Sequence, residues 1–303
     1  MRIAVVGAGA VGCYSGALLA RAGYDVTLIT RPAQAALIQA RGILLEEGGK
    51  KHTIRLKAVS DSQCLPVADL VLVSVKVGDN AAAAPLVLSL LGKDTVILSM
   101  QNGVDTAAQL SELTGREVLP SALYIAVDRV EPGHVVHRGG HHIMLGSGKG
   151  SRLAAAALNR AAPLKAEISQ DIPSALWEKL TVNCVYNALS AITLMPYAAF
   201  GETDGAGAVI QIVLEECRVV AQACGVILPA DMTQRLDQII QHMPTQKSSA
   251  AQDVIKGRAT EIEFINGYVV RKAGEYGIAV PVNFTLLVII RMIEKRLAQE
   301  KLV

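Results

Sequence analysis

Lys179, Asn183 and Asn187 recur at i, i+4 and i+8 within the largely apolar stretch Ala175–Leu194. That spacing places an ammonium group and two carboxamides along one face of a predicted helix. Asparagine is a poor helix former because its side chain competes for backbone hydrogen bonds, so two inside one helix carry a cost. A lysine in such a row can give a proton to a carbonyl oxygen that is becoming an alkoxide, and its charge stabilises the oxyanion as it forms. The competing reading is a solvated stripe on an amphipathic helix, although such stripes usually carry Glu, Lys, Gln or Arg. Both readings fit the sequence. Further along, Ser248-Ser249 precedes Thr260-Glu261-Ile-Glu263-Phe-Ile-Asn266-Gly267. Glu261 is expected in the first turn of a helix, where the dipole favours a carboxylate, and capping alone would account for it.

A second kind of chemistry is written at the other end of the chain. Gly7-Ala8-Gly9-Ala10-Val11-Gly12 follows the apolar run Ile3–Val6 and opens a helix through Ala17–Ala20. In this order Gly7 permits the tight turn, Gly9 lets backbone N–H groups approach a pyrophosphate, and Gly12 lets the helix pack on the strand. These six residues are the expected dinucleotide cradle. The next strand, Asp25–Ile29, ends in Thr30-Arg31-Pro32. A site for NAD usually offers an acidic residue there, about 20 residues past the glycines, to bind the ribose 2′-hydroxyl. Arg31 instead suits a 2′-phosphate, which predicts NADPH over NADH.

Strands and helices alternate around the glycine turn, as a doubly wound sheet requires. After strand Asp25–Ile29 come helix Ala33–Ala40 and a hairpin of Ile43–Glu46 with His52–Leu56. Strand Leu70–Val75, helix Asn80–Leu90, strand Thr95–Ser99 and helix Val104–Leu110 follow. Strands near Val118–Val130, Val135–Val136 and Ile143–Leu145 are expected to close the sheet, and helix Arg152–Ala162 ends this half. Beyond Asp171-Ile-Pro173 only helical patterns remain: Ala175–Leu194, Ala206–Cys224, Met232–Gln241, Ser249–Lys256, Glu261–Tyr276 and Phe284–Leu302. The expected architecture is α/β, with an N-terminal Rossmann-type doubly wound sheet (residues 1–168) and a C-terminal all-helical domain (169–303). A cleft between the two is the default place for a ligand.

Composition narrows the partners. The 303 residues are 51% hydrophobic and 18% charged with a net charge of +2. No basic tract is present, which argues against nucleic acid, and no apolar run approaches the ~18–20 residues that would span a bilayer. The N-terminus enters a strand at once, leaving no room for a secretory signal. Cys13, Cys64, Cys184, Cys217 and Cys224 form no C-x-x-C pair and are expected as reduced thiols of a cytoplasmic protein. Four of the six histidines fall within His134–His142. His134 and His137 point to opposite faces of a strand and cannot share one ion, so a structural hairpin and no metal site is expected. The apolar helices Val209–Cys224 and Phe284–Ile293 can pack internally or against a second copy in a homodimer.

Taken in order, these motifs resemble the 2-dehydropantoate 2-reductase (ketopantoate reductase) family along essentially the whole chain. The resemblance rests on Gly7-x-Gly9-x-x-Gly12, Arg31, Val73-Ser-Val-Lys76 and Gln101-Asn102-Gly103. It continues through Trp177-Glu-Lys179-x-x-x-Asn183-x-x-x-Asn187, Ser249 with Gln252-Asp253, Thr260-Glu261-Ile-Glu263-x-Ile-Asn266-Gly267 and Pro281-x-Asn283. It implies that Arg31 and Lys76 contact the adenosine end of NADPH and that Asn102 sits near its pyrophosphate and nicotinamide side. Lys179 would be the general acid, with Asn183 and Asn187 holding the substrate and orienting the lysine. Ser249 would bind the substrate carboxylate and Glu261 its distal hydroxyl. The implied reaction is hydride transfer to 2-dehydropantoate, giving (R)-pantoate on the route to pantothenate and coenzyme A.

Two departures lie beside the expected pocket. Ala250-Ala251 stands where the family often has a bulky Met, and Glu263 where it often has Asp. Contacts of methylene size change discrimination by only ~1–3 kcal/mol, enough to shift preference among related acids. Reduction of another branched 2-oxo acid is therefore an alternative. An opine or 3-hydroxyacid-type dehydrogenase would commonly use a histidine, and only His242 follows His142. A sensor that binds NADPH without turnover would need neither Lys179 nor Glu261.

Overall fold

A computed structural model describes residues 1–300 of the chain. They form two compact units that divide between Ile172 and Pro173. In chain order the first contains β1 (Arg2–Val6), α1 (Ala10–Arg21), β2 (Asp25–Ile29), α2 (Pro32–Arg41), β3 (Ile43–Glu47), β4 (Lys50–Ile54), β5 (Lys57–Val59) and β6 (Leu70–Val73). There follow α3 (Asn80–Leu88), β7 (Val96–Ser99), α4 (Thr106–Thr114), β8 (Val118–Leu119), β9 (Ser121–Glu131), β10 (His134–Gly146), α5 (Ser151–Arg160) and β11 (Lys165–Ser169).

Six of these strands make one all-parallel sheet in the order β5-β2-β1-β6-β7-β8. Counted by appearance within the sheet, this is the 3-2-1-4-5-6 order of a dinucleotide-binding fold. Its central strands are buried on both faces, which is why they read as unbroken apolar runs. Alternate residues supply two cores. Ile3, Val5, Leu28, Leu70, Leu72 and Leu98 pack with Leu18, Leu19 and Leu158 on one side. Ala4, Val6, Ile29, Val71, Val73 and Ile97 pack with Val87 and Leu110 on the other.

The strands after β8 do not close this sheet, contrary to the sequence expectation. Pro120 lies between β8 and β9 and has no N–H to continue the ladder. The long β9–β10 hairpin instead founds a second sheet, β11-β10-β3-β4, with β9 paired along the other edge of β10. Strand β11, absent from the sequence reading, pairs in parallel with the C-terminal half of β10.

The second unit is helical: α6 (Ile172–Thr193), α7 (Ala198–Glu202), α8 (Ala206–Ala223), α9 (Met232–His242), α10 (Ser249–Ile255), α11 (Asn266–Glu275) and α12 (Pro281–Glu300). The short α7 has no counterpart in the sequence pattern. The expected helix Glu261–Tyr276 is broken: a 3-10 turn at Ile262–Phe264 precedes α11, and Ile265 between them leaves helical geometry (φ −112°, ψ −99°). The expected end of the last helix, Lys301–Leu302, lies outside the described residues. Buried Glu216 of α8 organises this unit. Its carboxylate accepts hydrogen bonds from Val282 N, Asn283 N and Asn283 Nδ2, all at 2.8 Å, and so caps α12. Asn266 then donates to Asn283 Oδ1 (2.9 Å) and to the Cys184 carbonyl (3.1 Å), joining α11, α12 and α6. Among the described residues no helix is long and apolar enough to cross a membrane.

Candidate active site

Four expected cofactor positions follow the carboxyl ends of adjacent parallel strands. Ile29 of β2, Val6 of β1, Val73 of β6 and Ser99 of β7 lie in register, and Arg31, the glycine turn, Lys76 and Asn102 come directly after them. Ligands of open α/β sheets bind at that edge, where the strand order reverses. The turn itself admits no side chains at its key points. Gly7 has φ +110°, and a Cβ there would meet Ser74 C and Val75 N at 2.7 Å. A Cβ on Gly12 would overlap the Gly7 carbonyl and Ser74 Oγ. The Gly7 carbonyl accepts from Ser74 Oγ (2.8 Å), and the Ala8 carbonyl from Gln34 Nε2 (2.7 Å) and Arg129 (3.3 Å).

With the carbonyls so engaged, the turn presents its N–H side. Gly9 starts α1 with no side-chain cap and no acidic residue in the first turn, and a Cβ there would find only Ser74 O, at 3.7 Å. This cradle fits a dinucleotide pyrophosphate. Arg31 begins α2, its side chain 87% exposed, in a loose 3.8 Å ion pair with Asp79. Lys76 is exposed before a 3-10 turn, and Asn102 is half-buried. Gln101, its neighbour in the Gln101-Asn102-Gly103 motif, is a brace: its buried amide donates to Val75 O (2.9 Å) and Asn80 Oδ1 (2.6 Å).

In the helical unit, Lys179 and Asn183 of α6 are half-buried and Asn187 is buried, so the row is not a solvated stripe. Desolvation draws Lys179 down to about 8, while the Glu261 carboxylate pulls the other way. Glu261 is half-buried and precedes the 3-10 turn rather than sitting inside a helix, which corrects the first-turn reading. The segment carrying it is anchored through Thr260, whose N and Oγ1 both donate to Glu294 Oε1 (2.7 and 2.6 Å). Glu263, one of the two departures, does not offer a free carboxylate to a ligand. Arg291 of α12 binds it with two bonds of 2.5 and 2.7 Å and holds it below the usual carboxylate range.

The adjacent serines divide the work. Ser248 is the buried N-cap of α10, accepting from Ala251 N (3.0 Å) and donating to the Asn187 carbonyl (3.4 Å). Ser249 is exposed. The side chains missed by sequence reading (Glu216, Glu294, Arg291) all act over long separations, and no local spacing marks them.

The histidine segment also differs from its expectation. His134 pairs with Glu46 (2.8 Å) and His142 with Glu167 (2.9 Å), but both lie on the single strand β10 rather than on two arms of a hairpin turning at Gly139-Gly140, because the glycines are absorbed as a bulge paired to β9. His137 and His141, by contrast, stack on each other with ring centroids 4.4 Å apart. Burial and the neighbouring His137 hold His141 below the ordinary imidazole range.

Residues 3–150 match the family model described as ketopantoate reductase PanE/ApbA, and residues 171–294 match its C-terminal counterpart. The chain belongs to the ketopantoate reductase family. A Vibrio cholerae 2-dehydropantoate 2-reductase is 34% identical over 302 residues, covering 97% of this chain and 98% of that one. The crystal structure of a PanE/ApbA family ketopantoate reductase from Ralstonia eutropha is 41% identical, with TM-score 0.93 over 98% of this chain and all of that one. D-Mandelate dehydrogenase, solved with NADH and anilino(oxo)acetate, is 27% identical with TM-score 0.92, over 98% of this chain and all of that one. The family assignment makes the chain a nicotinamide-dependent reductase acting on a small molecule.

Proposed function

We propose that the chain reduces 2-dehydropantoate to (R)-pantoate with NADPH, and that Lys179 provides the proton. The observation that carries this reading is the Lys179–Glu261 relationship: a half-buried ammonium whose proton is loosened to about 8 yet kept in place by a carboxylate. A general acid works best when its pKa lies near the working pH. A bound reduced nicotinamide supplies the hydride to the keto carbon. The Lys179 ammonium donates a proton to the keto oxygen, is left as the neutral amine, and regains its proton from solvent. Before that transfer its charge stabilises the oxygen as it becomes an alkoxide.

Asn183 and Asn187 position the substrate and orient the lysine. Ser249, exposed at the start of α10, binds the carboxylate, and Glu261 accepts from the distal hydroxyl. Residues Gly7 to Gly12 hold the pyrophosphate, Arg31 and Lys76 the adenosine end, and Asn102 the nicotinamide side. The loose Arg31–Asp79 contact leaves the guanidinium available to a 2′-phosphate, which supports NADPH. The free cysteines support a cytoplasmic location. Exposed Ile212 and Val219 of α8, with Phe284 and Met292 of α12, support a homodimer, to be tested by light scattering.

A second reading, reduction of an aromatic or branched 2-oxo acid with NADH, is favoured by the likeness to D-mandelate dehydrogenase and by the small Ala250-Ala251 pair. Initial rates over a panel of 2-oxo acids with both coenzymes separate the two. The first reading expects kcat/KM to be highest for 2-dehydropantoate with NADPH and poor for 2-oxoisovalerate, because the half-buried Glu261 carboxylate would lose its hydroxyl partner. Equal values for the two acids, or for the two coenzymes, would overturn it.

A further inference from the structure

His137 and His141 are four residues apart, which in a regular strand would separate them by about 13 Å. In β10 the pairing register slips between His137 and Gly139 and again between Gly139 and His142. Gly140 makes this possible: its φ is +69°, and any Cβ there would overlap the Tyr124 carbonyl. The bulge folds the strand until the two imidazoles stack. A third ring, that of fully buried Tyr14 on α1, lies parallel to His137 at 5.0 Å.

The hydrogen bonds then fix which nitrogens carry protons. The Gly140 carbonyl can only accept, so His137 donates through Nε2 (2.7 Å) and keeps a lone pair on Nδ1. Tyr14 donates its hydroxyl proton to Glu47 Oε1 (3.1 Å) and therefore accepts from His141 Nδ1 (3.2 Å), which leaves a lone pair on Nε2. Each imidazole thus has one bare nitrogen, and its protonated nitrogen is held by an oxygen, the arrangement that orients histidine ligands around metals. One ligand atom each from Glu47, His137 and His141 lies within 4.8 Å of the others. With bonds of ~2.0–2.2 Å, a tetrahedral ion needs its ligands about 3.3 Å apart, so binding would turn the two rings out of their 16° stack until their in-plane lone pairs converge. Arg21 holds the other Glu47 oxygen at 3.4 Å and does not block Oε1.

We propose that Glu47, His137 and His141 form a binding site for a divalent transition ion of zinc's class, with Tyr14 as its outer support. Two imidazoles and a carboxylate suit such an ion and leave a fourth position for water. Bound there, the ion would tie β3 to β10 beneath α1, bracing the nucleotide-binding unit from a position that takes no part in the proposed reduction.

The test uses tag-free full-length protein, stripped with chelator and titrated with ZnCl2 by calorimetry and with CoCl2 by visible absorption. The site predicts one saturable Zn²⁺ per chain with a dissociation constant of micromolar order, and a Tm that rises with zinc concentration. It predicts cobalt bands lacking a thiolate charge-transfer feature, which exposed Cys64 would produce. His141→Ala and His137→Gln should each weaken binding at least tenfold, whereas His134→Ala and His142→Ala should leave it unchanged, with all four variants melting cooperatively without metal. No saturable binding in the wild type, equal binding in His141→Ala, a thiolate signature, or loss of binding in His134→Ala would each overturn the proposal.

Discussion

The Glu261 carboxylate sustains the charge of Lys179 against a burial that draws its proton affinity down to about 8. The two come from distant segments: one from α6, the other from a loop pinned to α12 through Thr260 and Glu294. Their opposition sets the Lys179 ammonium near neutrality, where the proposed general acid would work best.

A general acid must carry its proton, so kcat should be sustained below pH 8 and fall as pH rises through about 8. Glu261→Gln removes the influence that raises the lysine and should move the descending limb to lower pH. A pH profile of single-turnover rates at saturating substrate reads this directly; an unmoved limb would separate Glu261 from the lysine.

The same burial has a cost in stability. Lys179 is drawn down to about 8 in the folded chain from an ordinary value of 10.5, so the folded protein binds fewer protons between those two pH values and gains stability as pH rises there. Lys179→Met should therefore stabilise the protein at pH 7, by roughly 1–3 kcal/mol, with the advantage fading toward pH 10.5. Urea melts at pH 7 and pH 10 measure the difference.

Arg31 is exposed and only loosely engaged by Asp79, so its removal should leave the fold intact. If it binds a 2′-phosphate, Arg31→Ala loses a charge-assisted contact of about 1.5–3 kcal/mol, or roughly 10- to 150-fold in kcat/KM with NADPH and little with NADH. Unchanged coenzyme preference would remove Arg31 from the site.

Glu216 satisfies three donors at the start of α12. Glu216→Ala leaves the two buried Asn283 donors and the half-buried Val282 N–H without an acceptor and should destabilise the helical unit by about 3 kcal/mol. Glu216→Gln, which keeps one acceptor oxygen, should cost less. Equal Tm values for wild type and Glu216→Ala would contradict the capping role.

The parts of this protein that could be read in the sequence are those set by local pattern. The strand–glycine–helix order at Val6–Gly12 names its own geometry, and the row Lys179, Asn183, Asn187 follows from helical spacing alone. What escaped depends on groups that meet across long separations. Nothing near Glu216 predicts that it caps a helix starting at Pro281, and nothing near Gln101 predicts its bond to Asn80. Ser248 and Ser249 differ only in burial, which packing decides. The β9–β10 hairpin left the main sheet because β3 and β11 were available to pair with β10, a choice of partners that alternation cannot encode. The stacking of His137 on His141 is hidden from the sequence for a related reason: strand periodicity assumes a straight strand, and the bulge at Gly140 makes this one fold.

Lys179 is the residue on which the proposed reduction turns. Kinetics of Lys179→Ala with 2-dehydropantoate, set beside NADPH binding by the same variant, test it directly. A loss of about 10²–10⁴ in kcat with an unchanged NADPH dissociation constant is the predicted result. A variant that turns over at the wild-type rate would contradict it.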